Sequence, residues 1–284
     1  MTRDVLTAQL EQRIAGKGTP SQVGTSYCGP AAFLYCVLED RPDIYIAYAI
    51  SLWMRGTFDF RTKSGNAHVA SDTGTIKEMG TLVRRRIAKP GKAQISELDW
   101  MTMACLSAST RPFFVPGNAA HLDDVGSSIT YPWVLKSWFA ATGSRSKVDS
   151  MGLGAFKSGL FFFANLMRFW RDHWLVMQID SSLIEGGTPN TFAQRHWVVV
   201  DPHKMPRVQI GGKGAPQPLW AILDEFWRVP SAQLDTAILG ERMKDWPMDL
   251  RVVTWGAEDT KFRMNTLGDV ASRFYGGYAF PRIG

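Results

Sequence analysis

Two short runs constrain the fold more than any other feature of the chain: His173-Trp-Leu-Val-Met-Gln-Ile-Asp180 and Arg195-His-Trp-Val-Val-Val-Asp-Pro202. Both are rich in β-branched and aromatic residues, and the turn-forming stretch SSLIEGGTPNTFAQ separates them, so they read as neighbouring strands. RVQIGG and DLRVVTWG, further on, read as additional strands. The chain before about residue 170 instead carries helical spacing. An α+β fold follows, with a helical first half and an antiparallel β-sheet in the second.

In the helical half, Val5, Leu6, Leu10 and Ile14 fall near one face of a helix within residues 1–18, ended by Gly16-Lys-Gly18. Pro30 suits the first turn of a helix that starts at Cys28, and Arg41-Pro42 stops it. Pro42 opens a second helix that runs to Gly56 and is apolar around much of its circumference, hence well buried. Residues 57–73 read as a polar connection containing His68. Helices are expected over 76–89, over 95–110 with Ser96 and Asp99 near the start, and over 133–143. The Pro-, Gly-, Asn- and Asp-rich residues 111–132 read as a long loop. Residues 151–170 are strongly apolar, but Lys157, Arg168 and three glycines leave no clean run of about 20 residues for a membrane span, so a buried or capping helix is expected.

With 284 residues, the chain suits a single domain of two lobes: a helical lobe over about 1–170, including an insertion over about 57–170, and a β-rich lobe over about 171–284. The 45% hydrophobic content and 11 Trp exclude a disordered, collagen-like or coiled-coil chain. Three Cys cannot make a disulfide framework, and their odd number suits reduced thiols. A net charge of +6 is too dilute to name a partner. Arg84, Arg85 and Arg86, with Lys89 and Lys92, read first as a solvated helix face and second as a site for phosphates or an anionic surface. Aromatic residues are not interleaved with Lys and Arg as a nucleic-acid platform requires, so no nucleic-acid partner is expected. Charges near the N-terminus occupy the place of a signal peptide's apolar core, so synthesis in the cytoplasm is expected, with any export by another route. CxxC, HExxH, HxxxH, GxSxG and Walker patterns are absent, and neither a metal nor a cofactor is expected; a zinc site would have to gather scattered ligands such as His121 with Asp123 or Asp124. Gly211-Gly212-Lys213-Gly214 reads as a hairpin loop.

The residues suited to chemistry are Cys28, an upstream Gln22 and a later histidine. A thiolate is the nucleophilic form of cysteine, and an ordinary thiol is mostly protonated near neutral pH. At Cys28 the partial positive charge of a helix N-terminus and an imidazole from elsewhere in the fold can activate it. Gln22, in the preceding loop, is placed to join the Cys28 backbone N–H in holding an acyl oxyanion. His196 starts an apolar strand and is the preferred general base; His173, in the same His-Trp setting, is its rival. His68, His121 and His203 read as surface residues. Asp201 is the nearest acid able to orient the imidazole, although it lies five residues on with opposite strand parity, and a turn-capping role competes; Asp180, Asp224 and Asp249 are alternatives. Cys36 and Cys105 sit within apolar helices and read as buried structural thiols, the competing reading for Cys28 itself.

Gln22-Val-Gly-Thr-Ser-Tyr-Cys28-Gly-Pro-Ala-Ala, followed much later by His196-Trp-Val-Val-Val-Asp-Pro, resembles the papain-like cysteine peptidase superfamily, above all bacterial branches with a Cys-Gly-Pro-Ala-Ala start. The resemblance implies an α lobe whose central helix is headed by the nucleophile and a β lobe that carries the base. It implies a thiol hydrolase that cleaves an amide or peptide bond through Cys28, His196 and provisionally Asp201, with Gln22 at the oxyanion. Transglutaminases, deamidases and acyltransferases use the same triad. The chain also looks like bacterial cysteine-hydrolase effectors, including toxins delivered by contact-dependent routes such as type VI secretion. That likeness implies a protein or peptidoglycan-type substrate, a secretion apparatus and a cognate immunity protein. The alternative from another class is a non-catalytic interaction protein on the same fold.

Overall fold

Thr2 opens the first helix by accepting a hydrogen bond from the Val5 N–H on its hydroxyl, which satisfies one of the donors that a helix start leaves over. The computed structural model describes residues 1–22, 25–62, 65–70, 95–110, 129–151, 159–188, 195–228 and 241–284. The expected helix over 76–89, the basic run Arg84–Arg86, His121, Asp123 and Asp124 all lie outside the described residues.

The chain divides into two units, the first comprising Met1–Arg145, Thr254–Ala257 and Ile283–Gly284. In it α1 (Arg3–Ile14) is followed by α2 (Cys28–Asp40) and α3 (Pro42–Arg55), which ends at Gly56 in the left-handed conformation, φ 73°. Every residue of α2 from Gly29 to Leu38 is buried. Residues expected to be a polar connection form instead a hairpin of β1 (Thr57–Thr62) and β2 (Gly65–Ala70), with Phe58 opposite Val69 and Asp59 opposite His68. Phe58 and Phe60 carry a period of two that is only two apolar residues long, too short to register against the polar residues around them. Phe60 and Val69 are buried, whereas Asp59 and His68 pair at 2.8 Å on the exposed side. Next come α4 (Glu97–Ser109), capped by the Ser96 hydroxyl accepting from the Asp99 N–H at 3.0 Å, and α5 (Pro132–Ala141). Phe33 of α2 lies at the centre, with ring centroids 5.6 Å from Phe60, 5.8 Å from Trp138 and 5.2 Å from Phe139. The C-terminal residues are tied to the α2–α3 junction: Ile283 N–H donates to Asp40 at 2.7 Å and Arg41 donates to the Gly284 carbonyl at 2.8 Å.

The second unit comprises Ser146–Val253 and Glu258–Arg282. Its elements are β3 (Val148–Asp149), α6 (Leu160–Met167), β4 (His173–Asp180), α7 (Ser182–Glu185), β5 (Arg195–Val200), β6 (Arg207–Val208), β7 (Gln217–Pro218), α8 (Ile222–Trp227), β8 (Met248–Asp249), β9 (Arg251–Thr254), β10 (Ala257–Lys261), α9 (Leu267–Ala271) and β11 (Phe274–Pro281). A six-stranded sheet runs β10-β9-β5-β4-β11-β3, and a three-stranded one runs β7-β6-β8. The two runs singled out from sequence are β4 and β5, antiparallel neighbours with Ile179 opposite His196 and Met177 opposite Val198. The glycine-rich stretch at 211–214 connects the short antiparallel pair β6 and β7.

A helix covers one face of the large sheet. Gly277 of β11 has no room for a side chain, because a Cβ there would lie 2.9 Å from Leu166 of α6, and Phe163 meets Phe274 edge to face at 5.2 Å. Strand pairing puts Met177, Val198, Ile179 and His196 on this same face. Trp197 points the opposite way and stacks on Tyr278, at 6.3 Å between centroids. The architecture is α+β with antiparallel sheets. Among the described residues no helix is long and apolar enough to cross a membrane.

Candidate active site

In the first unit, Cys28 is the first residue of α2, as the Gly-Pro following it implies. The chain reaches it through a tight turn: the N–H and hydroxyl of Thr25 both donate to the Gln22 carbonyl, at 2.9 and 2.5 Å, and the Thr25 hydroxyl accepts from the Tyr27 N–H at 3.5 Å. The Tyr27 carbonyl then takes the first helical hydrogen bond, from Ala31 at 2.9 Å. The first-turn N–H groups have no acceptor within the helix and carry its positive end, which favours a thiolate at Cys28. Cys28 is half-buried, whereas Cys36 and Cys105 are buried, as expected for structural thiols. Gln22 is buried, with 3% of its surface exposed.

Gly29 is required by packing: a Cβ there would lie 2.3 Å from the Thr130 Cβ and 2.4 Å from its Oγ1. Thr130, itself buried, therefore presses on the first turn beside Cys28. No pattern in the sequence marks it, since it is joined to Cys28 only by the fold.

In the second unit, His196 is the second residue of β5 and only 6% exposed. Its apolar setting opposite Ile179, on the face that α6 covers, makes charging the ring costly, and burial pushes its pKa down from 6.5 to about 3. Burial thus holds the imidazole neutral and opposes its protonation. His173 sits at the other end of the face, six residues along β4 from Ile179 and thus about 20 Å away at strand rise. Its ring meets Phe169 edge to face at 5.2 Å; burial lowers its pKa, with Asp172 opposing and Lys147 and Arg282 assisting. The two histidines therefore cannot serve one nucleophile interchangeably.

Asp201 does not orient His196. Its carboxylate accepts the His203 N–H at 2.7 Å, its N–H donates to the Arg251 carbonyl at 2.9 Å and its carbonyl accepts from Trp170 Nε1 at 2.9 Å. The odd separation from His196 is the cause: the carboxylate is carried away from the imidazole's face and caps the turn that leaves β5. Of the alternatives, Asp180 accepts the Ser182 N–H at 3.0 Å and lies opposite Arg195, again on the other face, and Asp249 pairs with Arg251 at 2.9 Å.

The chain matches no protein-family model, no curated protein and no solved structure. Among the described residues no group of three or more His, Cys, Asp or Glu is disposed to hold a metal ion. The described surface also holds an open groove of about 510 Å³ between α3 and β1, lined in part by Ile50, Met54, Phe58 and Asp59.

Three features near Gln22 escape sequence reasoning. Asp99, 2% exposed, pairs with Arg13 at 2.6 Å; burial raises its pKa, with Arg13, the Ser96 side chain and the Ser21 backbone pulling it back. The Ser21 hydroxyl donates to the Trp255 carbonyl at 3.0 Å. Gly256 lies so close that a Cβ would be 2.4 Å from that of Ser21.

Proposed function

We propose that the protein is a papain-like cysteine hydrolase acting on an amide or related acyl carbon, with Cys28 as nucleophile, His196 as general base and Gln22 at the oxyanion. The observation that carries this reading is the position of Cys28: the half-buried cysteine of the three, at the first residue of a helix whose next ten residues are buried. A structural thiol gains nothing from a helix N-terminus, whereas a nucleophile gains a lowered pKa. His196 supplies an imidazole on an inner strand of the large sheet, and in this reading the Cys28 thiolate offsets the burial penalty on its charged form.

In the proposed reaction His196 takes the Cys28 proton and the thiolate attacks the acyl carbon, forming a C–S bond. The carbonyl oxygen becomes an oxyanion held by the Cys28 N–H and the Gln22 side-chain amide. The imidazolium returns its proton to the leaving amine as the C–N bond breaks. His196 then takes a proton from water, which hydrolyses the thioester and restores the thiol. Once Cys28 ionises, its charge opposes the burial penalty on the imidazolium, so the two groups titrate as a pair.

The test is the pH dependence of iodoacetamide alkylation at each cysteine, read by peptide mass spectrometry in wild type and His196→Ala. Cys28 is expected to react well below the ordinary thiol value of about 8.5 and to lose that reactivity in the variant. An ordinary thiol profile in both proteins refutes the pair. Dependence on His173 alone moves the base.

A further inference from the structure

We infer that Ser21 is a positioning residue that fixes the Gln22 side of the oxyanion site, with the Trp255-Gly256 hairpin tip as its anchor; this rests on the hydrolase reading above. Gln22 lies in a loop, and a loop side chain that must meet an oxyanion at hydrogen-bond distance needs its backbone held from outside. The residue before it is held twice by the same distant turn. The Ser21 hydroxyl donates to the Trp255 carbonyl at 3.0 Å. Gly256 packs flush against the Ser21 Cβ and Oγ, with a virtual Cβ 2.4 and 2.5 Å from them.

The anchor itself is strained. Trp255 and Gly256 form the two-residue link between β9 and β10, both with positive φ, 51° and 80°, as a type I′ turn demands. Asn or Gly normally fills the first of these positions, and a bulky residue there is a conformational outlier. Strain of this kind persists where surrounding contacts over-determine the backbone, and it gathers at functional sites. Here the Trp255 carbonyl is turned to the residue that precedes Gln22.

The probe is p-nitrophenyl acetate, whose carbonyl becomes an oxyanion when the Cys28 thiolate adds to it; p-nitrophenolate leaves as the C–O bond breaks, and water later hydrolyses the acetyl thioester. Acylation is read from the p-nitrophenolate burst. Iodoacetamide alkylation of Cys28, which forms no oxyanion, is the parallel readout. Gln22→Ala is expected to slow acylation by about a hundredfold. Ser21→Ala is expected to slow it about three- to tenfold with alkylation unchanged, and Gly256→Ala to act in the same direction. The double variant Ser21→Ala/Gln22→Ala should acylate no more slowly than Gln22→Ala alone, because Ser21 acts through Gln22. Unchanged acylation in Ser21→Ala overturns the inference, as does an additive loss in the double variant or an equal fall in alkylation. A folded wild type with no Cys28-dependent burst overturns the hydrolase reading together with it.

Discussion

Acidifying a variant that lacks the Cys28 thiol should expose the cost of burying His196. In Cys28→Ala no thiolate can offset that cost, so the imidazole keeps its depressed pKa of about 3 while the unfolded chain titrates at 6.5. Between these values the unfolded state binds the extra proton, so stability falls as pH falls. The contribution is fully present above pH 6.5 and is lost progressively toward pH 3. At about 1.4 kcal/mol per pKa unit the whole difference is worth about 5 kcal/mol, of which about 2 kcal/mol disappears between pH 7 and pH 5. Urea unfolding of Cys28→Ala and Cys28→Ala/His196→Gln at both pH values isolates it. Both proteins share His173, also lowered by burial, and Asp99, whose raised pKa acts with opposite sign above 3.8, so these cancel in the difference. The stability advantage of Cys28→Ala over the double variant should shrink by about 2 kcal/mol on going to pH 5. Parallel pH dependences would refute the claim that burial sets the protonation of this imidazole. In the proposed pair, restoring Cys28 recovers part of the acid loss, since a thiolate favours the imidazolium.

Other consequences are separately measurable. Gly29→Ala forces a Cβ within 2.3 Å of Thr130 and should cost about 1–3 kcal/mol in urea unfolding, partly regained with Thr130→Gly; a fully stable single variant would show that Thr130 gives way. Arg13→Met leaves the buried Asp99 carboxylate without its 2.6 Å partner and should cost about 3–5 kcal/mol, whereas Arg13→Met/Asp99→Leu should recover most of it. Gly277→Ala would set a Cβ 2.7 Å from the Val176 carbonyl and 2.9 Å from Leu166 Cδ2, so a melting-temperature loss larger than that of Gly159→Ala is expected, since nothing lies within 4 Å of a Cβ at Gly159 and its φ is −72°.

What the sequence made legible is what local rules decide. The start of α2 at Cys28 follows from Gly29-Pro30, the end of α3 from Gly56, and β4 and β5 from two uninterrupted β-branched and aromatic runs. The hairpin at 57–70 was hidden because the alternation of Phe58 and Phe60 is short and polar residues surround it. The helical unit closes at Arg145, before the apolar α6, because α6 spends its apolar face on the large sheet through Leu166 and Phe163. Asp201 was drawn toward the site by nearness in sequence, which on a strand is a poor guide: an odd offset reverses the face. Ser21, Asp99, Thr130 and Trp255 were illegible for one reason, that each acts through a contact between segments far apart along the chain.

The three groups of the proposed site stand on elements of unequal stiffness. Cys28 heads a helix buried along its next ten residues, and His196 lies on an inner strand with β4 on one side and β9 on the other. Neither needs a local device to hold its backbone. Gln22 stands on a loop, and there the chain draws on the tip between β9 and β10 through Trp255 and Gly256. A loop donor held by a distant turn should be the most mutationally exposed part of the site: substitutions in that turn shift it without touching a reacting atom, whereas a helix terminus or an inner strand absorbs comparable changes. Losses of acylation with intact thiol reactivity should accordingly map to Ser21, Trp255 and Gly256 before they appear along α2 or β5.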